Sequence, residues 1–267
     1  MKAVFQLLKE QYDNKHLIFR LAAFEQRSKF QLHYLGALWQ LFSPLMQVVV
    51  FFVIFGLGIR QGKDVGDTPF FVWLLCGLIP WFFISPTVLQ ASNSIHKKIN
   101  MVSKMKFPVS VLPSIVIVGN SISFFVMLGV LGIVLVIYSV FSGAYLLQLP
   151  YYLLCLYAFL YVFTLFSATI ATVIRDYYNF LQAGMRMLFF LSPIVWVPAS
   201  MPEKLLAILQ MNPFYYIMTG FRDTFIGGRW FYEDLTYMAF FWSGILLIGF
   251  IGSHVFYKFK NSFVDYL

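Results

Sequence analysis

From Pro108 to Ile174 the chain carries no Asp, Glu, Lys, Arg or His, and no acid occurs between Thr68 and Arg175. About 20 mostly apolar residues, rising about 1.5 Å each as a helix, cross about 30 Å of hydrocarbon. Six stretches meet that requirement: Tyr34–Ile59, Phe70–Ala91, Val109–Tyr138, Tyr151–Ile174, Phe180–Val197 and Thr236–Phe256. Lipid offers no partners for backbone N–H and C=O groups, so only helices or closed barrels cross it. The length of these runs and their lack of alternation select helices, predicting an all-α integral membrane fold with six transmembrane helices. Pro44 is expected to kink the first span, and Pro108 to sit in the first turn of the third.

Composition agrees: 60% of the 267 residues are hydrophobic and 11% charged, against about 25% charged in soluble chains. Lys2–Gln31 shows no apolar run followed by a small-residue cleavage site. Cys76 and Cys155 lie inside apolar runs and read as buried small hydrophobes, outside any disulfide or metal site. The net charge of +8 would suit nucleic acid, but its distribution points to a membrane instead. With the N-terminus placed in the cytoplasm, inner segments hold 14 of the 19 Lys and Arg residues and 5 of the 11 acids. The positive-inside rule then puts both termini in the cytoplasm of a multi-pass protein.

Proton pumps and most ion-coupled carriers need ionisable groups at membrane depth. Here Arg186 and His254 are the candidates, both near inner span ends where side chains snorkel toward the interface. The acid pair Glu233–Asp234 reads as a solvated loop. No HExxH, GxSxG or GxxxxGK[ST] occurs. Catalytic and metal sites are therefore not expected, and energy for any work must come from another polypeptide.

Three further segments carry polar information. The island "SIHKKINMVSKMKF", Ser94–Phe107, has five basic residues counting His96 and no acid. Ile95, Ile99 and Val102 recur at helical spacing, with Lys97, Asn100 and Lys104 on the other side. This fits a short docking helix on the cytoplasmic face, or a basic loop against anionic lipid. Residues 1–33 form a second element, with Val4, Leu7, Leu8 and Tyr12 along one side of an interfacial helix. Pro198–Leu235 is too polar to cross and predicts two short helices, the second ended by Gly227–Gly228, serving as a lid or a structural cap.

"YLGALWQLFSPLMQVVVFFVIFG", "GLIPWFFISPTVLQASNSIHKKINMVSKMKFPVSVLP", Arg175–Asp176, "FFLSPIVW" and "NPFYYIMTGFRD" together resemble the membrane subunit of type-2 ABC exporters of polysaccharides. The second stretch looks most like teichoic acid translocation permeases of Gram-positive bacteria. The resemblance implies a homodimeric six-helix permease in the bacterial cytoplasmic membrane (residues 34–267), with two copies of a separate ABC ATPase and a lipid-linked polymer as cargo. ATP and Mg would belong to that ATPase, leaving no cofactor on this chain. Residues 94–106 match the coupling helix, giving Ile95, His96, Lys97, Lys98, Asn100, Val102 and Lys104 an ATPase-facing role. Glu25, Arg27 and Lys29 of the interface helix, and Arg175 with Asp176, join them. Residues 198–235 match outer re-entrant gate helices, with Glu203, Asn212, Pro213, Arg222 and Asp223 as their polar residues. Aromatic faces suit sugars, so Trp73, Trp81, Phe82, Phe83, Phe189, Phe190 and Trp196 are candidates for the path, with Arg186 at its rim. Most aromatics in so rich a chain face lipid or form interfacial belts. Other cargoes of the same family (O-antigen, capsule or a hydrophobic compound) and a non-transporting membrane scaffold are the alternatives.

Overall fold

The computed structural model describes residues 2–30, 34–59, 63–98, 107–140, 142–174, 176–260 and 263. Among these, regular structure is helical, apart from one bridge between Val65 and Thr68. Helices α1 (Lys2–Asp13) and α2 (Lys15–Phe30) precede α3 (Trp39–Phe51), which continues as a π-helix over Phe52–Ile59. Then come α4 (Phe70–Ser92), α5 (Leu112–Ile137), α6 (Leu149–Val173), α7 (Tyr177–Leu191), α8 (Glu203–Gln210), α9 (Pro213–Ile226) and α10 (Leu235–Phe259).

Five helical stretches among the described residues are long and apolar enough to span: Leu41–Gly58, Phe70–Ser92, Val109–Ile137, Gly143–Val173 and Leu235–Phe259. The run predicted as a span over Phe180–Val197 behaves differently. Helix α7 has 15 residues, about 22 Å at 1.5 Å per residue, and leaves helical geometry at Ser192 with ψ 147°. Pro193 explains the stop, because a proline drives its preceding residue out of the α region. At the first span, helix α3 runs through Pro44, and the winding changes only from Phe52. Pro108 stands one residue ahead of a 3-10 turn, Val109–Val111, and Pro113 takes the first turn of α5.

Helix α4 is the centre of the bundle, packing against α5, α6 and α9, while α6 also holds α10. Leu74, Cys76, Leu78, Ile84 and Val88 on α4 are fully enclosed. In contrast, α3 and α10 keep most of their apolar surface open, with Met46, Val50, Leu246 and Phe250 among the exposed side chains. Such faces suit lipid or another apolar partner. Polar ties lock the interior, as expected where apolar packing alone gives helices little preference over lipid. Ser92 Oγ donates to Ser167 Oγ at 2.8 Å, which donates to Tyr177 Oη at 3.0 Å. Tyr157 Oη donates to Ser121 Oγ at 2.7 Å.

Candidate functional site

One end of the bundle forms a platform around a second apolar cluster, in which Leu7, Ile18 and Ala22 of the N-terminal helices meet Ile95, Ile115, Leu165 and Phe256. Polar contacts fix α1 there. Lys260 Nζ and Ser110 Oγ both donate to the Glu10 carboxylate, and Gln11 Nε2 donates to the Ser110 carbonyl at 3.0 Å. Helix α2 is fixed by the buried Gln26, whose Nε2 donates to the Gly119 carbonyl, and by the ion pair of Glu25 with Lys98.

Two of the residues expected at a docking surface, Glu25 and Lys98, are thus brought together. Ile95 is buried against α5, as a helical face requires, while His96, Lys97 and Arg27 are exposed. Helix remains over residues 94–98. Lys29 lies in the last turn of α2, and Asp176 is exposed at the N-terminal end of α7. Asn100, Val102, Lys104 and Arg175 lie outside the described residues. The stripe along α1 divides: Leu7 is buried, whereas Leu8 and Tyr12 are exposed. Glu10, Gln11, Gln26 and Ser110, which anchor this platform, escaped the sequence reading. Their partners lie about a hundred residues away or more, as for Gln11 and Ser110, and no local pattern announces them.

The candidate path aromatics divide by side. Trp81, Phe82 and Phe189 border a groove of about 470 Å³ with Ser43, Gln47 and Ser85, between α3, α4 and α7. Phe190 and Arg186 are exposed on α7. Phe83 turns the other way, stacked on Phe124 at 4.5 Å. Trp196 is partly buried, and its Nε1 donates to the Phe190 carbonyl at 2.9 Å. Trp73 lies under Arg222, whose guanidinium carbon is 3.5 Å from the ring centroid.

Arg222 is the residue whose character the sequence concealed. Expected among the polar residues of the outer gate helices, it is 6% exposed. Its Nη1 donates to the Pro193 carbonyl, Nη2 to Ile194 O at 2.9 Å and Nε to Trp73 O at 3.4 Å. Burial pulls the guanidinium down to about 9, so it stays cationic at neutral pH. The backbone beyond α7 has left helical geometry, and its freed carbonyls would be costly at membrane depth without donors. The fork of Arg222 supplies them. A glycine makes the room: a Cβ on Gly77 would stand 2.5 Å from Nη2.

The other residues expected at the gate extend this brace. Asn212 caps α9 by accepting from Phe214 N at 3.0 Å, and its Nδ2 donates to Ser192 Oγ at 3.1 Å. Pro213 fills the first helical position. Asp223 accepts from the Arg229 backbone, and burial pushes its carboxyl up to about 6 against the opposing pull of Arg229 and Arg222. Glu203 is exposed in the first turn of α8. The two predicted short helices are therefore present, α9 ending at Gly227 with φ +88°. Helix α9 is attached more tightly than a loose surface lid would be, since it packs into α4 and α6.

Several long apolar helices around a buried α4 define a multi-pass membrane protein. The chain matches the ABC-2 type transporter family over residues 16–226 and belongs to that family. It is 24% identical over 228 residues to the O-antigen export system permease protein RfbA of Myxococcus xanthus, covering 85% of this chain and 86% of the relative. It is 25% identical over 240 residues to the protein of the same name from Klebsiella pneumoniae, covering 90% of each. Permease subunits of the family lack nucleotide-binding motifs, and this chain is a transport subunit of that kind.

Proposed function

We propose that this chain is half of a dimeric permease moving a lipid-linked polysaccharide outward across the bacterial cytoplasmic membrane, powered by two copies of a separate ABC ATPase. Membership of the ABC-2 type transporter family over most of the chain carries this reading. The two relatives are O-antigen export permeases, which favours a surface polysaccharide of that kind. A narrower reading, wall teichoic acid, rests on the likeness within Gly77–Pro113.

In this reading the platform of α1, α2 and the helical turn over 94–98 meets the ATPase through His96, Lys97 and Arg27, and Lys29, Asn100, Val102, Lys104, Arg175 and Asp176 share that role by the family resemblance. The Glu25–Lys98 pair supports joint movement of α2 and the island. ATP and Mg act on the partner, whose closure would be passed to α4 and α5. The groove of Trp81, Phe82 and Phe189 offers aromatic faces and the hydroxyl and amide groups of Ser43, Gln47 and Ser85 to a glycan. The exposed face of α3 is the natural place for the second subunit, and α8 and α9 form the outer gate. Helix α7 with the segment to Val197 completes a sixth crossing and leaves both termini in the cytoplasm.

Co-purification tests the powered-permease reading: an ATPase subunit should accompany the full chain in equal amount. Replacing Lys97 and Lys98 with Glu should lower both recovery of the ATPase and ATP hydrolysis stimulated by lipid-linked glycan. Unchanged recovery and unchanged stimulation defeat the docking role. Reporters fused after Lys63 and after Met101 should report opposite sides of the membrane, and finding both on one side removes the six-span topology. Transport of O-antigen-type or polyol-phosphate cargo by reconstituted complex separates the two cargo readings.

A further inference from the structure

Helices α2, α4 and α5, together with the turn over residues 94–98, enclose a cavity of about 420 Å³ at the inner side. Lys97, Lys98 and Glu25 stand at its rim. Glu25 is engaged by Lys98, which leaves Lys97 without a carboxylate partner among the described residues. The wall behind is made of amides. Gln26 Nε2 is 3.4 Å from Asn120 Oδ1, and Asn120 Nδ2 donates to Thr87 Oγ1 at 3.1 Å and to Gln90 Oε1 at 3.3 Å. Ile115 and Val116 supply an apolar flank on α5. Asn120 lies about 12 Å along α5 from Leu112 at 1.5 Å per residue, so the polar wall reaches well inside the bundle.

Gln26 is buried, Asn120 partly buried and Gln90 exposed; packing alone gives no reason for the buried member, because a buried amide gains nothing over an apolar side chain and costs more when a partner is lost. One unmatched cation, a hydrogen-bonding wall and an apolar flank describe the phosphate end of a membrane lipid. We propose that this cavity binds a lipid phosphate in the inner leaflet. Lys97 meets the phosphate, Gln90 and Asn120 face the polar substituents of the headgroup, and a chain lies along Ile115 and Val116. The inner level of the site rests on the orientation proposed above.

The position has a consequence for movement. Asn120 also borders a recess of about 160 Å³ with Pro44, Phe82 and Pro86. Those three residues border the aromatic groove of Trp81 and Phe189 as well. A headgroup held at Lys97 therefore stands at one end of a row of recesses leading to that groove. Two lipids carry the required phosphate: a glycerophospholipid, or the isoprenoid diphosphate on which a glycan cargo would be carried.

The full chain, purified in non-ionic detergent, would be titrated with phosphatidylglycerol, phosphatidylcholine and farnesyl diphosphate, reading bound lipid by native mass spectrometry. Phosphatidylglycerol or farnesyl diphosphate should bind more tightly than phosphatidylcholine, whose choline cation opposes Lys97. K97S should weaken that binding about tenfold, the loss of one charge-assisted hydrogen bond, and K97R should retain it. N120L should also weaken it. K9S, which removes an equal charge from α1 away from the cavity, should leave it unchanged. Preference for the glycerophospholipid or for the diphosphate identifies the source, and either supports the site. Equal loss in K97S and K9S, or binding indifferent to K97S, overturns it. Because lipid is read directly, that failure is distinct from a failure of ATPase co-purification.

Discussion

Replacing Arg222 with Leu tests whether the segment after α7 is held by a buried cation. The substitution removes the donors that Arg222 presents to Pro193 O and Ile194 O and its contact with Trp73. Each orphaned carbonyl costs about 1.5 kcal/mol, and the lost cation–π contact about 1 kcal/mol. Relief from burying a charge returns several kcal/mol, so the two sides nearly cancel and R222L alone should change stability little. Gly77→Ala attacks the same contact from the other side, placing a methyl 2.5 Å from Nη2, at a cost of about 2 kcal/mol. The double variant should cost clearly less than the two added together, because Leu is too short to meet the new methyl. Unfolding of the purified chain by SDS in mixed micelles, followed by tryptophan fluorescence, measures all four corners of the cycle. Strict additivity of R222L with G77A refutes the brace.

Gly220→Ala should be at least as damaging, about 3 kcal/mol, because the Tyr152 ring already occupies the place of the new Cβ; the same micelle titration measures it. Asp223 is raised from 3.8 to about 6 by burial, so folding takes up a proton between those values. Stability should therefore fall as pH rises from about 4 to about 6 and level off above, and D223N should flatten that profile in unfolding midpoints taken across pH. Removing Glu25 or Lys98 singly should cost under about 1 kcal/mol, because both side chains are about 30% exposed. A larger effect of either on ATPase recovery than on stability would show that the pair serves assembly.

Five of the six expected spans and the two short helices after Pro198 were legible because they depend on local composition. A run of apolar residues meets the length of a bilayer regardless of what surrounds it, and Asn212–Pro213 and Gly227 announce the ends of α9 by their backbone chemistry. The shortened α7 was legible too, in Pro193, although hydropathy counted through it. The inner platform was half visible. The basic island stood out by charge, but Gln26 gave no signal, since a single amide in an amphipathic helix looks like a solvated residue until its partner on α5 is known.

The sequence by itself determined that this chain is a set of long apolar helices suited to lipid, because the length of its apolar runs and their lack of alternation leave helices as the way to satisfy backbone polar groups there. Tertiary structure alone decided which polar residues turn inward. Arg222 became a buried brace because Gly77 and the open carbonyls after α7 converge on it, and Lys97 came to overlook an amide-walled cavity because α2, α4 and α5 meet at that level. Charge and burial are separate properties: the first belongs to the residue, and the second is set by neighbours brought from distant parts of the chain.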